Sequence, residues 1–301
     1  MKRFKVCSVI FFCLLFCNVQ AQAAPSRRGK DPLRSCGGPE TELPFSIVGI
    51  KNYPPFSWIE VKGDENQDPK YKKQEYKGLI LDLVKETANE LQIVDMKNIV
   101  FDDFQQIQKA MLRGNAAFSF VTYYVDEAKS GQDYVYPAYF GNPFIVVSRN
   151  TKVIEVRDLS ELKGLKGLIR REEIIEPLIR GSLPTDTKLE VVDGAETAFR
   201  KLLSGEVDFM LTSRYAADAE SRRFKIQDKL HFGNTALRHI KYFVSFSKLS
   251  SCRVHKKTFE EKFKEKIKNK AAIEMLLQKH IMLWVEKFRD DPPLEYTPEK
   301  E

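Results

Sequence analysis

The amino-acid sequence predicts an α/β protein of two similar lobes, with mainly parallel sheets, helices on both faces and a cleft between the lobes. Two segments repeat one pattern, in which an amphipathic helix ends at a glycine and runs into a short apolar strand. Strands alternate with helices along the rest of the chain, as in parallel α/β folds. A cleft between two lobes is a natural place to hold a small molecule.

The repeated segments are residues 104–122 and 195–212, which we call the first and second helix–strand units. Gly114 and Gly205 stand where each helix should end, because glycine adopts the positive φ of a helix C-cap without a Cβ clash. The mostly apolar residues after each glycine are typical of a strand buried on both faces.

The chain begins with the three parts of a secretion signal. Met1–Lys5 is basic, Val6–Phe16 is apolar, and Ala21–Ala23 is a small-x-small cleavage site. We therefore expect residues 1–23 to be a cleaved signal peptide and the mature protein to be periplasmic. A membrane anchor is the alternative, but this apolar run is too short to span a bilayer comfortably. Lipidation at Cys17 is disfavoured because the bulky Phe16 precedes it.

The charge of the chain is mildly basic, at +7 over 301 residues. Cleavage of the signal would remove Lys2, Arg3 and Lys5 and leave +4. The densest basic stretch, residues 255–270, alternates with glutamates and indicates a solvated helix face. No base-stacking motif accompanies it, so the sequence predicts no nucleic-acid partner.

Two cysteines, Cys36 and Cys252, remain after three others leave with the signal. In an oxidising compartment they are expected to form a disulfide between an N-terminal arm and a late loop, with two free thiols as the alternative. None of the four histidines has metal-ligand spacing to a cysteine. We therefore predict neither a metal site nor a cofactor.

The remaining elements follow from periodicity and turn residues. Two prolines should stop regular structure at 53–58 and display aromatic side chains on a loop. A polar segment at 63–74 predicts an exposed hairpin or loop. Strands are expected at 45–50, 98–101, 144–148, 167–169, 189–192 and 242–246, and helices at 79–91, from about 172, and twice within 257–288.

The domain organisation follows from these elements. Residues 24–43 should be an irregular arm and residues 291–301 a C-terminal tail. Residues 44–142 together with 241–290 should form the first lobe, and residues 143–240 the second. The strands at 144–148 and 242–246 would carry the chain between the lobes, and closure would be a hinge motion there.

Five segments of the chain carry a family resemblance; they are Tyr53–Phe56, Tyr76–Asp82, Asp133–Tyr139, Asp158–Leu168 and Ser204–Phe209. In the same order, they resemble segments of periplasmic solute-binding proteins of the polar amino-acid type. These proteins have the two-lobed type II fold and serve ABC transporters and some sensor receptors. The resemblance covers about residues 43–288. It implies a monomeric, non-catalytic protein that binds a small-molecule solute and meets an ABC permease or a membrane receptor.

The sequence departs from this family at the two charged positions that hold an amino acid. The family's carboxylate-binding arginine, a few residues after Thr122, is replaced by Glu127 or Ala128. Lys129 is the nearest cation, and a lysine cannot reproduce a bidentate fork. The aspartate that holds the ammonium group after the second-lobe strand is replaced by Ser213. An ordinary α-amino acid is therefore a doubtful ligand.

Candidate ligand-binding residues fall into three chemical groups, each with a structural alternative. Aromatic side chains could stack on a solute or pack between sheet and lobes. Hydroxyls could bond a solute or be satisfied within their strands. Arg170 and Arg171, before a helix start, could bind an anion or pair with Glu172 or Glu173. Arg214, in place of the family's ammonium-binding acid, could favour an anionic ligand. The candidates are Tyr53, Phe56, Trp58, Tyr123 and Tyr124; Ser119, Thr122, Thr212 and Ser213; and Arg170, Arg171 and Arg214.

The preferred hypothesis is a secreted binding protein that closes two lobes around a small polar solute, and the three arginines point to an anionic one. An enzyme on the same scaffold is an alternative, with Glu127 or Glu173 as general acid or base. No Ser/His/Asp order, metal spacing or glycine-rich phosphate loop supports it. A further alternative is a scaffold protein that has lost solute binding, with Tyr124 or Arg214 filling the cleft.

Overall fold

The computed structural model describes residues 36, 44–62, 73–124, 131–173 and 183–298. The predicted signal peptide, most of the arm and most of the 63–74 loop lie outside these residues. So do Glu127, Ala128 and Lys129. No helix in the described part of the chain is long and apolar enough to cross a membrane.

Strands and helices alternate along the described chain. The helices are α1 (Leu81–Glu90), α2 (Phe104–Leu112), α3 (Ala195–Ser204), α4 (Arg214–Arg223), α5 (Lys256–Ile267) and α6 (Lys270–Lys287). The strands are β1 (Phe45–Ile50), β2 (Asn52–Tyr53), β3 (Ser57–Lys62), β4 (Lys73–Lys77), β5 (Met96–Phe101), β6 (Phe118–Tyr123), β7 (Gln132–Tyr134), β8 (Phe140–Arg149), β9 (Lys166–Arg170), β10 (Lys188–Val192), β11 (Phe209–Ser213), β12 (Leu230–Phe232) and β13 (Arg238–Ser247).

The main sheet consists of two parallel halves joined by two antiparallel strands. Its order is β10-β9-β11-β8-β13-β6-β1-β5. In the first lobe, β1 pairs in parallel with β5 and β6; in the second, β9 pairs in parallel with β10 and β11. The long strands β8 and β13 pair with each other and connect the halves. The predicted α/β class with two lobes and mainly parallel pairing is confirmed.

Both helix–strand units form as predicted. In the first unit, the carboxylate of Asp103 caps α2 by accepting from the Gln106 amide at 2.8 Å. Gly114 follows α2 with φ +72°, and Gly205 caps α3 in the left-handed region at φ +99°. The strands that follow, β6 and β11, are buried along their whole length. Each amphipathic helix is therefore followed by a strand that lies wholly inside the protein, with mostly apolar side chains.

The C-terminal segment forms two helices, as predicted, and the second of them contacts the second lobe. The guanidinium of Arg223 on α4 lies 3.8 Å from the ring centroid of Phe288 and 5.5 Å from that of Trp284. The Leu294 amide donates to the Phe224 carbonyl at 3.0 Å. The chain after β13 therefore contacts both lobes, while the domain boundaries in sequence remain a prediction.

The disulfide between Cys36 and Cys252 is confirmed, with the two Cα atoms 5.1 Å apart. It ties the N-terminal arm to the 3₁₀ turn Ser251–His255. Another 3₁₀ turn, Arg171–Glu173, stands where a helix was expected from about residue 172, and the continuation lies outside the described residues.

Candidate functional site

A chain of buried polar side chains connects the two lobes through the joining strands. The hydroxyl groups of Tyr53, from the first lobe, and Tyr242, on β13, are 2.7 Å apart. The amide nitrogen of Asn142, on β8, donates to Tyr242 at 3.0 Å and to Tyr53 at 3.4 Å. Ser213, at the end of β11, donates to the Asn142 amide oxygen at 2.8 Å. We call these four residues the hinge network.

The hinge network is uncharged and fully buried. All four side chains have 0% exposure. Burial raises the pKa of Tyr53 and of Tyr242 well above the ordinary tyrosine value and is the largest contribution to each shift. Both phenols therefore stay protonated, and each can donate one hydrogen bond and accept others. The network can position a neutral polar group without supplying a charge.

A buried carboxylate, that of Glu173, extends this network into the second lobe. It accepts from the Ser213 amide at 2.9 Å and from the Thr212 hydroxyl at 2.7 and 3.0 Å. Arg170 Nε donates to it at 3.1 Å. Ser213 also caps α4, because its hydroxyl accepts from the Ala216 amide at 3.2 Å. The end of β11 is thus fixed by Ser213, which caps α4, and by the carboxylate of Glu173, which bonds Thr212 and Ser213.

Arg170 lies at the centre of a buried acidic cluster. Besides Glu173, its guanidinium lies 3.3 Å from Glu172 and 4.0 Å from Glu220. Burial alone would lower the pKa of Arg170, but the carboxylates of Glu173 and Glu172 raise it overall. Burial raises the pKa of Glu172 and of Glu220. Within the described residues, no set of His, Cys, Asp and Glu is arranged to hold a metal ion.

The other two arginines proposed for an anion also have protein partners. Arg171 is half-exposed and its Nε lies 2.5 Å from the carboxylate of Asp193. Arg214 donates from Nη2 to the carbonyl of Gly233 at 2.5 Å. Arg171 thus pairs with Asp193 rather than with Glu172 or Glu173, and the ligand-binding role of both arginines remains a prediction.

The expectation that two prolines display aromatic side chains on a loop is wrong. Tyr53, Phe56 and Trp58 are completely buried, because β2 and β3 fold back as an antiparallel pair around the prolines. The ring of Phe56 lies 5.0 Å from that of Tyr242, next to the hinge network. The ring centroids of Trp58 and of Trp284, on α6, are 5.7 Å apart.

The candidates on β6 and just after it are buried or lie beside a separate cavity. Ser119 donates to the carbonyl of Val121 at 2.9 Å, and Thr122 donates to the Gln132 side chain at 3.4 Å. Tyr123 and Tyr124 line a cavity of about 380 Å³ together with His239, Ile240 and Lys241 of β13.

Sequence reasoning missed two members of the hinge network, Asn142 and Tyr242, and the role of Glu220. Asn142 precedes a proline at the start of an apolar strand, and Tyr242 opens the predicted return strand. A polar residue at the start of each joining strand was the available signal. Glu220 had no signal, since it lies on a helix rich in charged residues.

No protein-family model matches the chain, and no curated protein matches it. Solved structures do match over most of its length. One is the amino-acid ABC transporter substrate-binding protein AbpA from Streptococcus pneumoniae bound to L-arginine, at 16% identity and TM-score 0.63, covering 80% of this chain and 96% of that one. The described residues therefore have the two-lobed type II periplasmic-binding-protein fold.

Two further matches show how widely this fold is used. The periplasmic VFT2 domain of Bordetella pertussis BvgS matches with 17% identity and TM-score 0.56, over 79% of this chain and 92% of that one. An ancestral amino-acid-binding protein, a precursor of cyclohexadienyl dehydratase, matches with 18% identity and TM-score 0.59, over 79% and 95%. At these identities the likeness concerns the fold.

Proposed function

We propose that this protein is a secreted, two-lobed binding protein that holds a small polar solute, uncharged or cationic, beside the hinge network. The single observation that carries this proposal is the continuous polar chain from Tyr53 through Tyr242 and Asn142 to Ser213, which links both lobes. A solute that bonded this chain would contact both lobes at once and favour their closed arrangement.

The charge of the candidate site favours a neutral or cationic solute over an anionic one. Arg170 is bonded to Glu173 and flanked by Glu172 and Glu220, so its charge is already compensated. Three carboxylates around one arginine disfavour a further negative charge nearby. This departs from the anionic solute that the arginines suggested in the sequence.

The role of such a protein would be to deliver solute to an ABC-type permease or to signal to a membrane receptor from the periplasm. Substrate-binding proteins of amino-acid ABC transporters and the periplasmic VFT2 domain of BvgS share the fold. We propose a monomer without catalytic activity, since Glu173 is held by Arg170, Thr212 and Ser213 rather than presented to a substrate.

The test is native mass spectrometry of protein purified from its own source without refolding, followed by thermal shift with defined solutes. The panel contains putrescine, agmatine and glucose on one side, and glutarate, citrate and inorganic phosphate on the other, with arginine and glutamate as α-amino-acid comparisons. A neutral or cationic solute at saturation should raise the Tm by about 4 °C or more. A response confined to the anionic solutes would contradict the proposed charge preference.

A matched pair of variants locates the response. Glu173→Gln removes the buried charge beside the hinge network, whereas Glu196→Gln removes an exposed charge on α3 of the same lobe. We expect the thermal shift to fall in the first variant and to persist in the second. An equal loss in both variants would show that the response does not come from the proposed site.

A scaffold protein that no longer binds solute is the second candidate, because every hinge-network side chain already has a partner within the chain. Small-angle scattering separates the two functions. A solute binder should become more compact when its solute is added, while a scaffold should give the same radius of gyration throughout the panel.

A further inference from the structure

A second cavity lies on another part of the molecule and includes none of the hinge-network residues. Its volume is about 530 Å³, within the range typical of small-molecule sites. Its walls come from the first lobe near β2, β3 and β5, from α4 of the second lobe, and from the end of α6. The residues that decide its chemistry are Lys51, Asp102, Arg223, Trp284, Lys287 and Phe288.

The charges that line this cavity are mostly positive. Lys51, Arg223 and Lys287 face a single carboxylate, that of Asp102, among the described lining residues. Partial burial lowers the pKa of Lys287, and the nearby charge of Arg223 adds to this effect, while the carboxylates of Glu60 and Glu220 oppose it. A bound anion would relieve this repulsion, whereas a bound cation would increase it.

Arg223 has hydrogen-bonding capacity left over in this position. Its Nη1 donates to Glu220 at 3.3 Å, but its Nε is buried and has no hydrogen-bond partner within the described part of the chain. An unpaired buried donor is costly, so a ligand oxygen that reached it would gain from pairing it. Lys287 donates to the Ile59 carbonyl at 3.2 Å, which fixes its ammonium at the cavity wall.

Both cations lie against the same two aromatic rings. The Arg223 guanidinium is 3.8 Å from the centroid of Phe288 and 5.5 Å from that of Trp284. The Lys287 ammonium is 5.2 Å from each centroid. Positive charge and apolar surface are therefore juxtaposed at one end of the cavity, where Ile59 and Val61 add further apolar wall.

We propose that this cavity binds a small organic anion with an aromatic body, its carboxylate between Arg223 and Lys287 and its ring against the apolar wall. The carboxylate pairs with two cations and the body is removed from water by the surrounding rings and aliphatic side chains. Because Arg223 belongs to the second lobe and Lys51 to the first, the bound anion holds the two lobes together. Its lining contains none of the hinge-network residues, so this proposal does not rest on the proposed function.

The experiment compares 4-phenylbutyrate with its uncharged amide on the full mature protein by isothermal titration calorimetry. Tryptophan fluorescence gives a second readout, since Trp58 and Trp284 are the two tryptophans of the chain and lie 5.7 Å apart. Lys287→Gln removes one cation of the site. Lys270→Gln is the matched control, because it removes the same charge about 25 Å away along α6.

We expect saturable binding of 4-phenylbutyrate with a change in tryptophan emission, and about tenfold weaker binding of the amide. Lys287→Gln should weaken binding by a similar factor, and Lys270→Gln by less than about twofold. Lys51→Gln provides a second variant on a different element. Absence of saturable binding, equal binding of acid and amide, or affinity unchanged in both Lys287→Gln and Lys51→Gln would overturn the proposal.

Discussion

The two helix–strand units have the same local structure but different chemistry at the ends of their strands. The first ends at Thr122, whose hydroxyl makes long contacts of 3.4 Å to the Gln132 side chain and 3.5 Å to the Tyr123 carbonyl. The second ends at Thr212, which bonds Glu173 at 2.7 Å, and the next residue, Ser213, bonds the same carboxylate at 2.9 Å. A shared sequence pattern therefore determines the local fold, while residues from elsewhere in the chain determine what each strand end can bind.

The largest effect is expected when the positive charge of Arg170, which pairs with Glu173 beside the end of the second unit, is removed. Arg170→Met leaves Glu172 and Glu173 buried without their cation, while Glu220 keeps its pair with Arg223. The substitution should lower the free energy of unfolding by about 3–5 kcal/mol. Urea unfolding measures this change. Arg171→Met, which breaks the exposed pair with Asp193, is the control and should change stability by less than about 1 kcal/mol.

The loss of stability in Arg170→Met should depend on pH in a defined direction. Burial raises the folded-state pKa of Glu172 and Glu220, so the folded protein binds more protons than the unfolded chain just above pH 4.5. Stability from these groups is then lost as the pH rises through that window. The deficit of Arg170→Met relative to the native protein should therefore be smaller at pH 5 than at pH 7. An equal deficit at both values would place the loss in packing rather than charge.

Substitutions at the two strand ends should give a smaller difference in the free energy of unfolding. Ser213→Ala removes a helix cap and the partner of Asn142, and should cost about 2 kcal/mol. Thr122→Val replaces a hydroxyl with weak contacts and should cost less than about 1 kcal/mol. Equal costs in urea unfolding would mean that the two ends are energetically alike despite their different geometry.

The smallest expected contrast lies at the glycines that end the two helices. Gly205→Ala places a side chain at φ +99° and should cost about 1 kcal/mol. Gly114→Ala, at φ +72°, should cost about 0.5 kcal/mol more, because its Cβ would lie 2.9 Å from the Cβ of Leu249. Thermal unfolding of both variants gives the comparison, and a larger cost at Gly205 would contradict it.

Part of the candidate site was predictable and part was not. Tyr53 was a candidate because it adjoins two prolines after the first strand, and Ser213 because it follows the second unit. Both belong to the hinge network. Asn142 and Tyr242 were missed, since the hydrogen bonds that place them join residues 71 and 100 positions apart. Sequence patterns report near neighbours and carry no information on such pairs.

The sequence by itself determined the local elements of this protein and the pairing of its cysteines. Helix periodicity, capping glycines and apolar strands act over a few residues, and only Cys36 and Cys252 remain after the predicted signal. Only the tertiary structure decided which charges are compensated. The sequence left open whether Arg170 binds an anion or pairs with Glu172 or Glu173, whereas the fold pairs it with both and brings Glu220 from a distant helix to its side. The reason is physical: burial and long-range contacts determine whether a charge is available to a ligand, and both arise only when the chain is packed.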